Sequence, residues 1–333
     1  MNFFSVFSLI QIFCFTAGFA QSLSNYPEDI HIQRTNLVVR WQAPRHPWPK
    51  TIWTYQMTMT KFSPTLISNL ISLGGFTDKD RWFSTTNITA YSASGRSLRI
   101  SHEEGEIDFG REPRRFSVTN LAKDVPEMSQ LYGLTTNFLP KIGLDDSEIP
   151  KTKDGRIQMN FEEPMSGYPA SGPNGEFLTN IETRSASFGR LIDGIKCDIP
   201  VGSCTFYFGE HSQIMSFQLY WRNVKHDKLY AALTPKQIIQ WIREGKANLP
   251  KLVYVGQIPV PIDWSTAKKL TIKKAMACYQ GEFFLGEREH RPIFPSPVGP
   301  YAVLEGTLDT GTTNIDVRIT GPVIDGAKPL KTE

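Results

Sequence analysis

The chain reads as an α+β protein, with antiparallel sheets and a few helices packed on one face, in a layout that allows two similar modules. Three observations predict this. Residues 185–223 and 252–319 alternate apolar and polar positions with period two, and Gly- and Pro-rich turns separate the runs. Three segments carry helical spacing between start and stop signals. Strands and helices do not alternate one for one, which disfavours a doubly wound nucleotide-binding sheet.

Met1 to Ala20 is an uncharged Phe- and Ile-rich run that ends Gly18-Phe19-Ala20 before Gln21-Ser22. Small residues three and one before a polar start suit a signal peptidase, so the segment reads as a cleaved export signal. No Lys or Arg precedes the apolar run, and about 20 apolar residues also span a bilayer, so a retained anchor is the competing reading. The polar residues Gln21 to Asn25 favour cleavage near Gln21. Residues 21–50 then form an extended arm, because Pro44, Pro47 and Pro49 enforce extended geometry. Trp41, Trp48 and Trp53 gather there, either as a sugar-stacking platform or, the favoured reading, as anchors packing the arm onto the body.

A helix follows, with Ser63 as cap, Pro64 in the first turn, Leu66, Ile67, Leu70 and Ile71 on one face, and Gly74-Gly75 as the stop. Short strands are expected over 97–101 and 106–109, joined by an acidic turn. A second helix is expected over 126–142, burying Met128, Leu131, Tyr132, Phe138 and Leu139, with Pro140 breaking or tightening its last turn before Gly143. Residues 164–176 read as a loop. In the clearest β region, Phe188, Arg190 and Ile192 lead into Asp193-Gly194, a strong two-residue hairpin signal. A strand over 204–208 then turns at 209–212 and returns over 214–221, completing a meander. Thr234, Pro235 and Gln237 make a capping box for a third helix, which turns Ile238, Ile239, Trp241 and Ile242 inward and stops at Gly245. Further strands are expected over 252–260, 269–279, 301–308 and 314–319.

Composition narrows the function. A net charge of +3 over 333 residues, with Lys and Arg offset locally by Asp and Glu, is too mild for nucleic-acid binding. Arg111, Arg114 and Arg115 sit beside Glu112 and read as a solvated turn. No run after residue 20 is long and apolar enough to cross a membrane. Cys14 leaves with the signal, so Cys197, Cys204 and Cys278 remain. Hairpin pairing of the segments flanking 198–203 would bring Cys197 and Cys204 together. Cross-strand disulfide geometry is demanding, so the bonded and unbonded forms both stay open. Cys278 would then be a small buried hydrophobe rather than a nucleophile.

Chemistry-bearing motifs are sparse. His102-Glu103-Glu104-Gly105-Glu106 begins like a zinc-protease helix, but it lacks the second His and contains a Gly, so it reads as a turn. Ser265 and Lys268 have the S-x-x-K spacing without its companion motifs. There is no nucleophile elbow, phosphate loop or dinucleotide fingerprint, and the six histidines are dispersed. The neighbours Asp145-Asp146 and Glu162-Glu163 point to different faces, whereas a glycosidase needs two facing carboxyls roughly 5–9.5 Å apart. Asn87-Ile88-Thr89 is a glycosylation sequon. No catalytic, cofactor-binding or metal-ligating residue is assigned, and no cofactor is expected.

The segment from Pro126 to Asn223 runs helix, then Phe188 to Gly194, then two strands ending Ser216 to Trp221. In this order it resembles the PepSY-type module and the related YycI-like exported regulatory domains. The helix over 234–244, the strands after it, and the tail from Pro292 to Leu304 resemble a second such unit. The arm and the Cys197–Cys204 insertion have no place in that pattern. The resemblance implies a non-catalytic exported module that binds or inhibits a peptidase or another envelope protein.

The expectation is therefore an exported, secreted or periplasmic protein that binds or regulates a protein partner, with neither nucleic acid nor, after signal cleavage, membrane as partner. The alternative is an exported hydrolase acting on glycans, with carboxylates from 145–163 and the three tryptophans. The expected boundaries are 1–20 signal, 21–50 arm, 51–225 first module and 226–333 second module. The expected binding surface is Phe188, Arg190, Phe217, Tyr220 and Trp221.

Overall fold

A computed structural model describes residues 30–44, 48–112, 122–162, 170–171, 177–178, 181–197, 201–255, 258–281, 297–324 and 329–330. In chain order the first elements are β1 (Val38–Trp41), β2 (Thr51–Thr58), α1 (Pro64–Gly74), β3 (Arg81–Ser84), β4 (Ile88–Ala93), β5 (Arg96–Ser101) and β6 (Glu106–Arg111). Next come α2 (Met128–Ile142), β7 (Asn160–Glu162), β8 (Ala170–Ser171), β9 (Phe177–Leu178), β10 (Arg184–Gly189), β11 (Leu191–Ile192) and β12 (Ile195–Cys197). Then follow β13 (Gly202–Phe208), β14 (Ile214–Trp221), β15 (Asn223–Ala231) and α3 (Pro235–Arg243). The last are β16 (Leu252–Val255), β17 (Ile258–Pro261), β18 (Lys269–Gly281), β19 (Pro297–Asp309) and β20 (Asn314–Pro322). The fold is α+β.

One eight-stranded sheet, here the meander sheet, has the order β3-β4-β5-β6-β14-β13-β10-β7. It is a helix followed by four sequential strands, twice over: α1 with β3 to β6, then α2 with β7, β10, β13 and β14. The two copies join antiparallel through their last strands, Phe217 lying opposite Phe109. Both helices cover the same core. Leu66 and Leu70 of α1 and Leu131, Phe138 and Ile142 of α2 pack with Leu98, Ile107, Phe109, Phe206, Phe217 and Leu219. Alternation along β13 explains this, since Cys204, Phe206 and Phe208 face the helices while Thr205 and Tyr207 face away.

The second eight-stranded sheet, here the composite sheet, runs β11-β12-β18-β19-β2-β15, with β1 added to β18 and β20 to β19. Its two long strands are shared. The first part of β18 pairs in parallel with β1 and its end with β12, whereas β19 pairs at its start with β2 and along the rest with β20. Ile238 and Ile242 of α3 complete a separate core with Ile52, Tyr55, Trp264, Leu270 and Leu304.

The helix signals act locally and hold. Ser63 accepts the Leu66 N–H at 3.1 Å, and Gly75 adopts φ +62° to close α1. Thr234 and Gln237 form the expected capping box of α3. α2 starts at Met128 rather than 126 and continues through Pro140 to Ile142, closed by Gly143 at φ +70°. Met128 is exposed, and Thr135 takes a buried place on that face instead. The tryptophans pack the arm onto the body: all three lie half-buried against the composite core, and Trp48 donates to the Leu233 carbonyl at 2.8 Å. The arm also contributes β1.

The sheet pairings cross the expected boundaries at 50/51 and 225/226. β2 belongs with β15 and β19, so it joins the chain's C-terminal part, and the hairpin β11–β12 leaves the meander sheet for the composite one. This hairpin interrupts the second copy of the meander between β10 and β13. Its turn is the expected one: Asp193 and Gly194 have φ +51° and +75°, which a two-residue primed turn requires. No bond joins Cys197 to Cys204, although both are buried. Cys197 packs in the composite core and Cys204 in the meander core, so their side chains serve different interiors.

Candidate functional site

Among the described residues, the chain crosses between the sheets at four places, after β2, β10, β12 and β14. Thr60, Arg190, Val201 and Arg222 occupy these crossings, and all four are buried. A strand that changes sheets leaves backbone groups without ladder partners, so side chains must supply them. Thr60 Oγ1 accepts the Asn223 N–H at 2.8 Å and lies 3.4 Å from the Trp221 carbonyl, to which it donates. Arg190 grips Glu148 with Nε and Nη2 at 2.9 and 2.8 Å and donates its Nη1 to the Arg222 carbonyl. Glu148 Oε2 also accepts Trp221 Nε1 at 2.8 Å, and the Arg190 guanidinium lies 5.2 Å from the centre of the Trp221 ring. Gly202 makes room for this arginine, because a Cβ there would lie 2.3 Å from Arg190 Cβ.

Beside this junction opens a cleft of about 520 Å³. Its walls combine Tyr55, Leu191, Ile192, Val224, Lys225 and His226 from the composite sheet with Asp145, Ser147 and Glu148 from the turn after α2. Asp193, at the tip of the inserted hairpin, joins the walls: Tyr55 Oη donates to its Oδ2, and His226 Nε2 lies 2.9 Å from the same oxygen. Burial pushes the Asp193 carboxyl upward, but these two hydrogen bonds and the His226 charge hold it below the ordinary range. Burial and the bond to Asp193 push the Tyr55 phenol well above its usual value, so Tyr55 serves as a donor. Trp53 and Tyr55 bracket His226, with ring centroids at 4.6 and 5.0 Å. Asp145 accepts the Ser147 N–H and Oγ at 2.9 and 2.8 Å.

On the outer face of the meander sheet, Arg99 bridges Glu104 and Glu106, the latter at 3.0 Å. Asp108 is the surplus acid: its Oδ1 is shielded and accepts no hydrogen bond. Burial, then the hydrogen bond and charge of Glu106, push its carboxyl well above the ordinary range.

Four of the five residues expected as a binding surface cannot present one. Phe188, Phe217 and Trp221 are core residues, and Arg190 is 4% exposed at the junction. β14 buries alternate side chains under the helices, and only Tyr220 lies on the outer face, half-covered. Of the groups named for the hydrolase alternative, Asp145 and Glu148 meet in the cleft, whereas the three tryptophans pack on the composite core; the sequence motifs lie elsewhere. His102 lies in a turn with Nδ1 3.0 Å from the Thr60 carbonyl, and Ser265 donates its hydroxyl to Asp263 at 2.5 Å. Sequence reasoning missed Tyr55 and His226, offered Glu148 only within the carboxylate region 145–163, and read Asp193 only as a turn. Pairing of β2 with β15 sets Tyr55 opposite His226, and the inserted hairpin and the turn after α2 carry Asp193 and Glu148 to the same cleft, which no local spacing announces. Among the described residues, no helix is long and apolar enough to cross a membrane, and no group of three or more His, Cys, Asp or Glu is placed to hold a metal.

No family model and no curated protein matches the chain. A solved structure of an uncharacterized protein from Eubacterium rectale ATCC 33656 is similar to it over 89% of each chain, at 9% identity and a TM-score of 0.44.

Proposed function

We propose that the chain is an exported, non-catalytic binding or regulatory protein that seats a protein partner in the cleft beside Asp193. One observation carries this reading. Every carboxylate in the cleft is already engaged by the protein's own donors: Asp193 by Tyr55 and His226, Glu148 by Arg190 and Trp221, and Asp145 by Ser147. Such groups are fixed in orientation but not poised as an acid and a base across a substrate. Leu191, Ile192 and Val224 add apolar wall, and Lys225 and His226 a polar rim, a mixture suited to recognition. The resemblance to PepSY-type and YycI-like modules supplies the partner class, a peptidase or another envelope protein.

The test compares the mature chain with Val224→Glu and Lys225→Glu variants as bait in the exported fraction, alongside a glycan hydrolysis panel. The reading expects one discrete protein, retained by the parent chain and lost by both variants, with no turnover. Glycan hydrolysis abolished by Asp193→Asn would replace it with the hydrolase reading.

A further inference from the structure

The meander sheet ends in an edge that is built unlike the others. β7, at its opposite edge, exposes Asn160 and Glu162. β15, an edge of the composite sheet, exposes Lys225, His226, Asp227 and Lys228 and carries a bulge between His226 and Leu229. Charge and bulges are how sheet edges avoid unwanted pairing. Among the described residues, β3 has only β4 beside it, and all four of its residues are exposed. Two of those four are Trp82, 64% exposed, and Phe83, 43% exposed. A register shift between Arg81 and Phe83 re-aims the side chains here. Neighbours on a regular strand point to opposite faces, yet the Trp82 and Phe83 rings lie 5.8 Å apart, centre to centre. The edge therefore shows one continuous aromatic patch beside backbone that, among the described residues, has no second strand paired to it.

We infer that β3 pairs antiparallel with β3 of a second copy of this chain, joining two meander sheets across a two-fold axis. The charges around the strand fit that occupant. With the axis between Trp82 and Phe83, Trp82 faces Phe83 of the partner subunit and Arg81 faces Ser84 of the partner subunit. Arg81, the one charged residue of the strand, thus meets an uncharged side chain, so no like charges are opposed along the paired strands. The contact area sets the strength. Taking about 250 Å² for a Trp and about 200 Å² for a Phe, the exposed aromatic surface of two copies comes to roughly 500 Å². A standard stable interface buries at least about 1,200 Å². Backbone pairing and the flanking residues add to the aromatic contribution, which places this dimer in the weak, concentration-dependent class. This inference stands apart from the cleft, whose residues it does not use.

Light scattering and sedimentation of the mature chain, at about 1 and about 100 μM, test it. The expected result is a monomer when dilute and twice that mass when concentrated, with amides 81–84 gaining protection from hydrogen exchange only in the concentrated sample. Trp82→Lys and Phe83→Lys, both at exposed positions, are expected to stay monomeric at both concentrations while keeping the parent circular dichroism spectrum. A parent chain that remains monomeric throughout overturns the inference, as does a dimer unchanged by both substitutions. Protection of 81–84 that needs a different protein instead of a second copy also overturns it.

Discussion

Asp193 at the rim of the cleft and Asp108 on the outer face of the meander sheet are pushed in opposite directions by their surroundings. Asp193 is about half exposed and receives two donors, Tyr55 and His226, which overcome burial and hold its carboxyl low. Asp108 lies beside Glu106, whose charge is already engaged by Arg99, and burial and the neighbouring acid hold its carboxyl high. The carboxylates of the cleft are thus already engaged by donors of the chain itself. The sheet face carries one acid more than its cations satisfy.

The largest way to break the comparison is Arg190→Ala. It removes the cation behind the cleft, leaves Glu148 with the Trp221 indole alone, and takes the side-chain donor from the Arg222 carbonyl. A loss of about 3–5 kcal/mol is expected from urea midpoints, the scale for orphaning one half of a buried pair. Asp108→Asn acts in the other direction. An acid whose folded pKa lies above its unfolded value contributes stability below the ordinary Asp range and loses it as pH rises. Removing that titration is expected to raise stability near pH 7 by about 1 kcal/mol and to flatten its fall as pH rises above the ordinary Asp range, as followed by urea midpoints.

Tyr55→Phe sharpens the cleft side. Losing the hydroxyl is expected to cost about 1 kcal/mol and to move the Asp193 carboxyl back up, as read by NMR titration of its side chain. Asp193→Asn has the smallest effect. A depressed carboxyl contributes stability above the ordinary Asp range and loses it as pH falls through the lower folded value. The parent should therefore exceed the variant by under about 1 kcal/mol at pH 7, with the gap closing in acid. A gap that widens in acid would contradict the assignment of Asp193.

Much of the fold was legible because the signals that specify it are local. Ser63 with Gly75, and Thr234 with Gln237, are capping contacts within one or a few turns. Asp193-Gly194 specifies its own turn. β2 and β15 were not legible. The buried positions of β2 are Ile52, Tyr55 and Met57, so the alternation slips phase within the strand. β15 puts Lys225 to Lys228 on its exposed edge and bulges beside them, so it reads as a polar loop. The parallel pairing of β1 with β18 joins segments more than 200 residues apart, beyond the reach of any local pattern. The cleft inherits this difficulty, since Tyr55 and His226 come from the two unannounced strands and meet Asp193 only through the inserted hairpin. For the same reason the sheet face from Phe188 to Trp221 looked available: the apolar half of its alternation was legible, but the helices that cover it were not tied to it by any spacing.

The proposed role of the cleft is tested most directly by a photocrosslinking side chain placed at Val224, inside the cleft, and at Tyr254, an exposed position elsewhere. In the exported fraction, the account predicts one discrete crosslinked protein from Val224, none from Tyr254, and loss of the Val224 product when Lys225→Glu is added. Equal crosslinking from both positions, or none from Val224, would contradict it.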